Sequence, residues 1–269
     1  MVKHALPGYN LRIPLYWINA FTDTVFGGNP AAVCPLEMWI DDGLMQKIAA
    51  ENNLSETAFF VRKGDAFELR WFTPTIEIDL AGHPTLASAF VIYQHLDYTG
   101  DRITFLTKSG QLLITKRGGL ICMDFPAREG SPSKSNPLLN EGLGRKPLEL
   151  YKARDYLAIF GSEDEILALK PDWEKLARLD CLGAIVSAPG KRSDFVSRFF
   201  APAAGINEDP VTGSSHTTLI PYWAKRLKKD ELHAFQVSSR GGELFCRYLG
   251  DRVEIAGKAV TYLVGSITL

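Results

Sequence analysis

The chain has only four cysteines, Cys34, Cys122, Cys181 and Cys246, scattered without any C-x-x-C spacing. This argues against a disulfide framework and against a zinc site. Each thiol neighbours apolar residues, so reduced, mostly buried cysteines in a cytoplasmic protein are expected. Net charge is equally scarce: 30 Lys and Arg against 31 Asp and Glu leave −1, which points to no nucleic-acid partner. The densest basic run, Lys225 to Lys229, falls where a helix should end, and cations there oppose the negative pole of the helix dipole. No stretch approaches the ~20 apolar residues of a membrane span. The opening MVKHALPGYNLRIPLYW lacks a continuous apolar core and a cleavage site, so no signal peptide is expected. Neither a metal nor a cofactor is expected.

What is present is ordinary globular composition, 46% apolar and 23% charged over 269 residues, enough for one large domain or two of usual size. Apolar and β-branched runs predict strands near 12–20, 54–62, 66–73, 102–107, 110–117 and 120–125. A helix is predicted over 42–52, capped by Asp41 or Asp42, with Leu44, Met45 and Ile48 on one face. Another starts near Pro84, a residue suited to the first helical position, and its body TLASAFVIYQH is small or apolar nearly all round, as in a helix buried on every side. Residues 127–148 turn rich in Pro, Gly, Ser and charge and read as a connector between a domain over 1–126 and another over 149–269. In the second part a strand near 154–160 precedes a helix opened by Ser162 and Glu165 at capping-box spacing. Strands near 182–188 and 194–201 follow. A helix over 214–228 carries Leu219, Trp223 and Leu227 on one face and Pro221 inside it. The tail from 234 is strand-like, and its last strand is free to return to the first domain.

The two parts share a pattern. Arg70-Trp71-Phe72-Thr73-Pro74 matches Arg198-Phe199-Phe200-Ala201-Pro202. Each run then passes through an acid-containing loop to a glycine, a polar residue and a helix: Gly82-His83 in one, Gly213-Ser214 in the other. Copies about 130 residues apart, one on each side of the connector, suggest two domains of one design. A helix start leaves backbone N–H groups unpaired and partly positive, and glycine lets a ligand approach them. Two such starts facing across one cleft would hold a carboxylate without a basic patch.

Three polar clusters carry candidate chemistry. Glu56, in NNLSETAFF, is flanked by Leu54, Ala58, Phe59 and Phe60. An apolar setting would raise its pKa toward the range useful for moving protons, although local sequence alone favours a strand glutamate facing solvent. His83 reads either as a helix-start hydrogen-bonding residue or as an acid/base or substrate contact. Asp209 before Pro210 reads first as a turn former, or else as the partner that orients His83. Ser214 and His216, two apart, point to different helix faces, and no G-x-S-x-G elbow occurs, which disfavours a serine hydrolase.

With these residues in view, the chain resembles the PhzF-like (phenazine-biosynthesis) isomerases over nearly its whole length, through INAFTDTVFGGNPAAV, NLSETAFF, RWFTPTIEIDLAGHPT and FFAPAAGINEDPVTGSSH. The resemblance implies an α+β, diaminopimelate epimerase-like fold: two pseudo-symmetric domains, each a curled, mostly antiparallel sheet around a central helix. It also implies Glu56 as the acid/base, His83, Asp209 and Ser214 around it, carboxylate-binding N–H groups near Gly82, His83, Gly213 and Ser214, a ligand contact from Asn29, and a homodimer. Asn29 before Pro30 reads equally as a turn residue. Two-thiol racemisation is excluded, because the loops DLAGHP and EDPVTGSS hold no cysteine. The expectation is a cofactor-independent isomerase moving a proton within a small carboxylate-bearing metabolite. The alternatives are a non-catalytic metabolite- or protein-binding protein of the same fold, or a lyase or hydratase using the same glutamate.

Overall fold

The first part of the chain runs through β1 (Arg12–Ala20), β2 (Asn29–Leu36), α1 (Asp42–Asn52), β3 (Thr57–Lys63), β4 (Ala66–Phe72), β5 (Glu77–Ile78), α2 (His83–His95), β6 (Arg102–Thr107), β7 (Gly110–Arg117) and β8 (Leu120–Pro126). Then come β9 (Ser131–Pro132), α3 (Pro137–Leu143), β10 (Glu149–Lys152), β11 (Tyr156–Ile159), α4 (Glu163–Leu167), α5 (Trp173–Leu176), β12 (Ala184–Pro189), β13 (Phe195–Ala201), β14 (Ile206–Asp209), α6 (Gly213–Leu227), β15 (Glu231–Gln236), β16 (Gly242–Tyr248), β17 (Arg252–Gly257) and β18 (Ala259–Thr268). This computed structural model describes residues 11–269. Most of the segment in which no signal peptide was expected lies outside that range. Among the described residues, no helix is long and apolar enough to cross a membrane.

The strand pairings repeat between the halves. β2 runs parallel to β3, β3 antiparallel to β4, and β4 pairs with β5 antiparallel and β6 parallel. β11, β12, β13, β14 and β15 reproduce the same directions in the same order. Each half closes with an antiparallel meander, β6–β7–β8 and β15–β16–β17, and the halves join where β8 pairs antiparallel with β17. β18 leaves the second half to pair along β1, and β9 leaves the first to pair with β10.

The two matching arginines do the same work. Arg70 makes a two-point ion pair to Glu77, 2.8 Å for each contact, and lies over Phe72; Arg198 pairs with Glu208 at 2.7 and 2.8 Å and lies over Phe200. Each pair ties the loop that leads to a central helix back onto its sheet. Such forked contacts fix geometry as well as adding energy.

The main core lies around α2 and α6. α2 is buried nearly all round, as its composition predicts. α1 covers the outer face of the first sheet, with Met45 and Ile48 against Cys34, Phe59 and Phe72, and Asp41 is its cap. On α6, Leu219 and Trp223 are buried, but Leu227 sits at the C-terminal end, 39% exposed. Pro221 cannot bond the carbonyl of Thr217, and the backbone N–H of Arg128 takes that place at 2.9 Å.

Several features depart from the sequence expectations, three of them of most consequence. β2 went unread because Pro30 and Pro35 interrupt its apolar run. β3 begins at Thr57, which leaves Glu56 on the loop before it. The 127–148 stretch is more than a connector: it carries β9 and α3, whose Leu139 and Leu143 pack with Leu176 and Phe160 beneath the second sheet.

Candidate active site

Local chemistry first brings the polar clusters to the ends of their elements. α1 stops at Asn53, which takes a left-handed conformation (φ 49°) and returns its N–H to Ala49. Asparagine tolerates that conformation better than most residues. Asn52 then bonds Thr57 at 3.2 Å, so NNLSE becomes a short tied loop that delivers Glu56. Asn29 follows Gly28, which has φ +64° and whose absent Cβ would stand 2.1 Å from the Ala20 carbonyl, so only glycine fits that turn. Asp209 ends β14, and Gly213 opens α6.

Tertiary packing then assembles these pieces. Asn29, fully buried, donates from Nδ2 to Asp209 Oδ1 (2.8 Å) and to the Val211 carbonyl (2.9 Å), and the same nitrogen lies 3.1 Å from His83 Nδ1. Its Oδ1 accepts from Ser55 Oγ at 3.3 Å. Asn29 thus links the loop bearing Glu56, the start of α2 and the loop before α6. The ends of the two central helices touch there: a Cβ on Gly82 would lie 2.9 Å from Gly213 Cα, and a Cβ on Gly213 would lie 3.1 Å from Gly82 Cα. Neither helix start has a side-chain cap. Their first N–H groups therefore remain available to a ligand.

Glu56, His83, Asp209, Gly82, Gly213 and Ser214 line one cavity of about 350 Å³ between the halves. Asn29 stands behind it as a brace. Larger hollows, of 410 Å³ between β10 and α6 and of 540 Å³ along β15 and β16, are lined by charges already paired with one another, such as Glu149 with Arg226 and Asp194 with Lys229. In the interdomain cavity Glu56 and His83 are exceptions to such pairing. Glu56 Oε2 and His83 Nε2 are 3.1 Å apart without the alignment of a hydrogen bond, and each is buried without a partner. Buried polar atoms are seldom left so.

Burial sets the protonation states. Glu56 is pushed up to about 8, first by desolvation and then by the charge of Asp209, while the Ser55 hydroxyl offsets part of the rise. Asp209 is pushed up to about 6 by desolvation, held back by Thr212 and Asn29, which donate to its two oxygens. His83 is driven down to about 3 by burial, so its ring is neutral at physiological pH.

Gln236 and Arg154 were missed in the sequence. Gln236 is fully buried and pins the loop before α6: its Nε2 donates to the Asp209 carbonyl (2.8 Å) and Thr212 Oγ1 (3.1 Å), and its Oε1 accepts from the Thr212 N–H (2.8 Å). One signal was there: β15 alternates, and Gln236 occupies the face that also buries Leu232 and Ala234. Replacing Gln236 by Leu would leave the Asp209 carbonyl and the Thr212 N–H unpaired inside the protein, and stability should fall by about 1–3 kcal/mol in urea unfolding. An unchanged midpoint would show that the loop holds itself.

Residues 18–265 match the family described as phenazine biosynthesis-like protein, PhzC-PhzF. An uncharacterized isomerase of Pseudomonas aeruginosa is 48% identical, with 96% of this chain and 100% of the relative covered. The crystal structure of a PhzF-family phenazine biosynthesis protein from Enterococcus faecalis superposes with a TM-score of 0.94 at 45% identity, covering 96% and 100% of the two chains. A hydroxyproline epimerase from Agrobacterium vitis shares the fold alone, with a TM-score of 0.60 at 9% identity over 96% of this chain and 93% of that one. A duplicated α+β architecture with its polar cluster where two central helices meet, together with these matches from end to end, shows that the chain belongs to the PhzC-PhzF, phenazine biosynthesis-like family.

Proposed function

We propose that this isomerase shifts one proton within a small carboxylate-bearing substrate, with Glu56 as the group that removes and returns it and with no cofactor. The observation that carries the reading is the pair of buried, unpartnered atoms, Glu56 Oε2 and His83 Nε2, facing a cavity beside two uncapped helix starts. The substrate carboxylate would take the free N–H groups near Gly82, His83, Gly213 and Ser214. Glu56 would then remove a proton from a carbon whose electron pair can move toward that acid group or an adjoining double bond. The same carboxyl returns the proton further along the system, so one C–H bond breaks, another forms, the double bond moves and the mass is unchanged.

The neighbours fit these steps. The two Asn29 N–H groups are engaged by Asp209 and the Val211 carbonyl at the two shorter distances, and the Pro30 carbonyl accepts from the His83 ring, which favours the proton on Nδ1. Its Nε2 is then free to accept from a protonated Glu56. Asp209 holds negative charge near Glu56 and raises its proton affinity. The other half has glycine at the position matching Glu56, since Thr57 faces Phe72 and Ala184 faces Phe200 in equivalent pairings, which puts Gly183 opposite Glu56. Both oxygens of Asp209 are engaged by Asn29 and Thr212, which leaves Glu56 as the carboxyl free to carry a proton. That suits a shift within one molecule better than inversion of a centre, for which two carriers on opposite faces are the simpler device.

Because the first step needs ionised Glu56, kcat/KM on any exchanging acid should rise with pH through the raised Glu56 value, about 8, and not level off above pH 5. Asp209→Asn removes the second cause of that rise and should move the limb to lower pH, though not to the ordinary glutamate value, since burial remains. A profile flat from pH 5 to 9 would count against Glu56 as the base. The homodimer implied by the resemblance belongs to the same proposal; sedimentation would separate one 29.8 kDa chain from two.

A further inference from the structure

The pseudo-symmetry of the cleft is broken at one further place, and the difference concerns how a substrate is oriented. His83 in the first half corresponds to Ser214 in the second, each one residue after the glycine at its helix start. On the first side His83 stands beside Glu56. On the second side Ser214 Oγ accepts from Arg154 Nη2 at 3.3 Å. Among the described residues lining the cavity, Arg154 is the one Lys or Arg. Its setting is built: Nε and Nη2 both donate to Asp155 Oδ2, at 2.9 and 2.6 Å, and Asp155 is almost fully buried.

Asp155 is fixed in turn by the N–H of Gly183, 3.1 Å from its Oδ1. Gly183 is the residue that matches Glu56 in the other half. It has no room for a side chain, since a Cβ would lie 2.6 Å from both the Phe199 ring and the Phe200 carbonyl. Where the first half supplies an acid/base, the second supplies a clamp for a cation. The guanidinium keeps donors to spare, because its bonds to Asp155 and Ser214 leave Nη1 uncommitted.

Resting on the proton-shift reading above, we infer that Arg154, next to Ser214 at the α6 start, anchors the acid group of the substrate and so turns its reacting carbon toward Glu56. The guanidinium fork matches a carboxylate in two contacts, which fixes direction as well as charge. Leu182, Phe199, Ala201 and Ile206 line the cavity on the same side. The substrate class is accordingly an unsaturated acid with an apolar body and its carboxylate at one end. Asp155 is a positioning residue for Arg154.

The test uses the full chain and two probes of nearly equal shape, cyclohex-1-ene-1-carboxylate and its neutral carboxamide, with affinities measured by ligand-observed NMR titration. The wild type should bind the acid at least tenfold more tightly than the amide. Arg154→Gln should bring that ratio below about threefold, Arg154→Lys should retain part of it, and Glu56→Gln should leave the acid preference in place. Thermal unfolding of each variant would establish that it is folded. A full acid preference in Arg154→Gln would overturn the inference and assign recognition to the helix starts alone. A wild type that binds the acid no better than the amide, or binds neither, would overturn it as well. Failure of the proton-shift reading looks different: acid selectivity would depend on Arg154 while Glu56→Gln left solvent exchange unaltered.

Discussion

Glu56→Gln should lower solvent deuterium uptake into an active substrate by about 10²–10⁴-fold, the usual contribution of a positioned acid/base group. The amide keeps the shape and polarity of the carboxyl but cannot carry a proton between carbons. The protein should fold undiminished, because Glu56 is held at a cost: burial disfavours its charged form, and Oε2 has no hydrogen-bond partner. A neutral amide avoids that charge, so the urea midpoint should stay level or rise, as is common when a site residue is exchanged for its uncharged analogue. Mass spectrometry of the product checks the reaction class in the same experiment, since an isomer keeps the mass of its substrate once exchanged deuterium is counted, whereas a lyase or hydratase product does not. Exchange at the wild-type rate in the Gln variant would remove Glu56 from the mechanism.

The second large effect concerns two glycines. Gly82→Ala adds one methyl group where only 2.9 Å separates the new carbon from Gly213 Cα. Gly82 has ordinary right-handed geometry, φ −82° and ψ −62°, so alanine meets no backbone strain there. The conflict is purely one of space, and the obstructing atom is backbone, which cannot swing aside as a flexible side chain does. The helix starts must separate by a few tenths of an ångström or more. Overpacking of this kind costs about 1–3 kcal/mol. The larger consequence falls on activity: N–H groups that converge on one carboxylate lose register, and displacements of about 1 Å can cost 10²-fold in rate. Gly213→Ala should behave alike, since its Cβ would lie 3.1 Å from Gly82 Cα. Urea unfolding together with an activity assay would distinguish the two effects. A Gly82→Ala protein with full activity and unchanged stability would show that the helix starts need not touch.

The matching Arg-aromatic-aromatic-x-Pro runs were legible because each is local, and both arginines fold back on an acid within eleven residues of themselves, Glu77 and Glu208. The all-round apolar character of α2 likewise announced its place inside a sheet. Other features were hidden for physical reasons. The prolines of β2 disguised a strand that needs only part of its ladder bonds, and α3 lay within a stretch whose polar composition reads as connector. Gln236 belongs to a strand whose alternation was visible, yet its three partners lie 24 to 27 residues earlier in the chain. Arg154 pairs locally with Asp155, but its place in the cleft was hidden because Ser214, and the Gly183 N–H that fixes Asp155, come from other elements.

The sequence by itself determined the duplication, the helix starts with glycine ahead of a polar residue, and the absence of cysteine from the loops that lead to them. Local spacing carries that information, because capping, turn chemistry and side-chain periodicity act over a few residues. Only the tertiary structure decided that Asn29, Glu56, His83 and Asp209, spread over 180 residues, share one cluster, and that Glu56 turns inward where local sequence favoured an outward strand position. Desolvation is the reason: the proton affinity of a carboxyl depends on what surrounds it in space, and the groups that exclude water from Glu56 come from both halves of the chain.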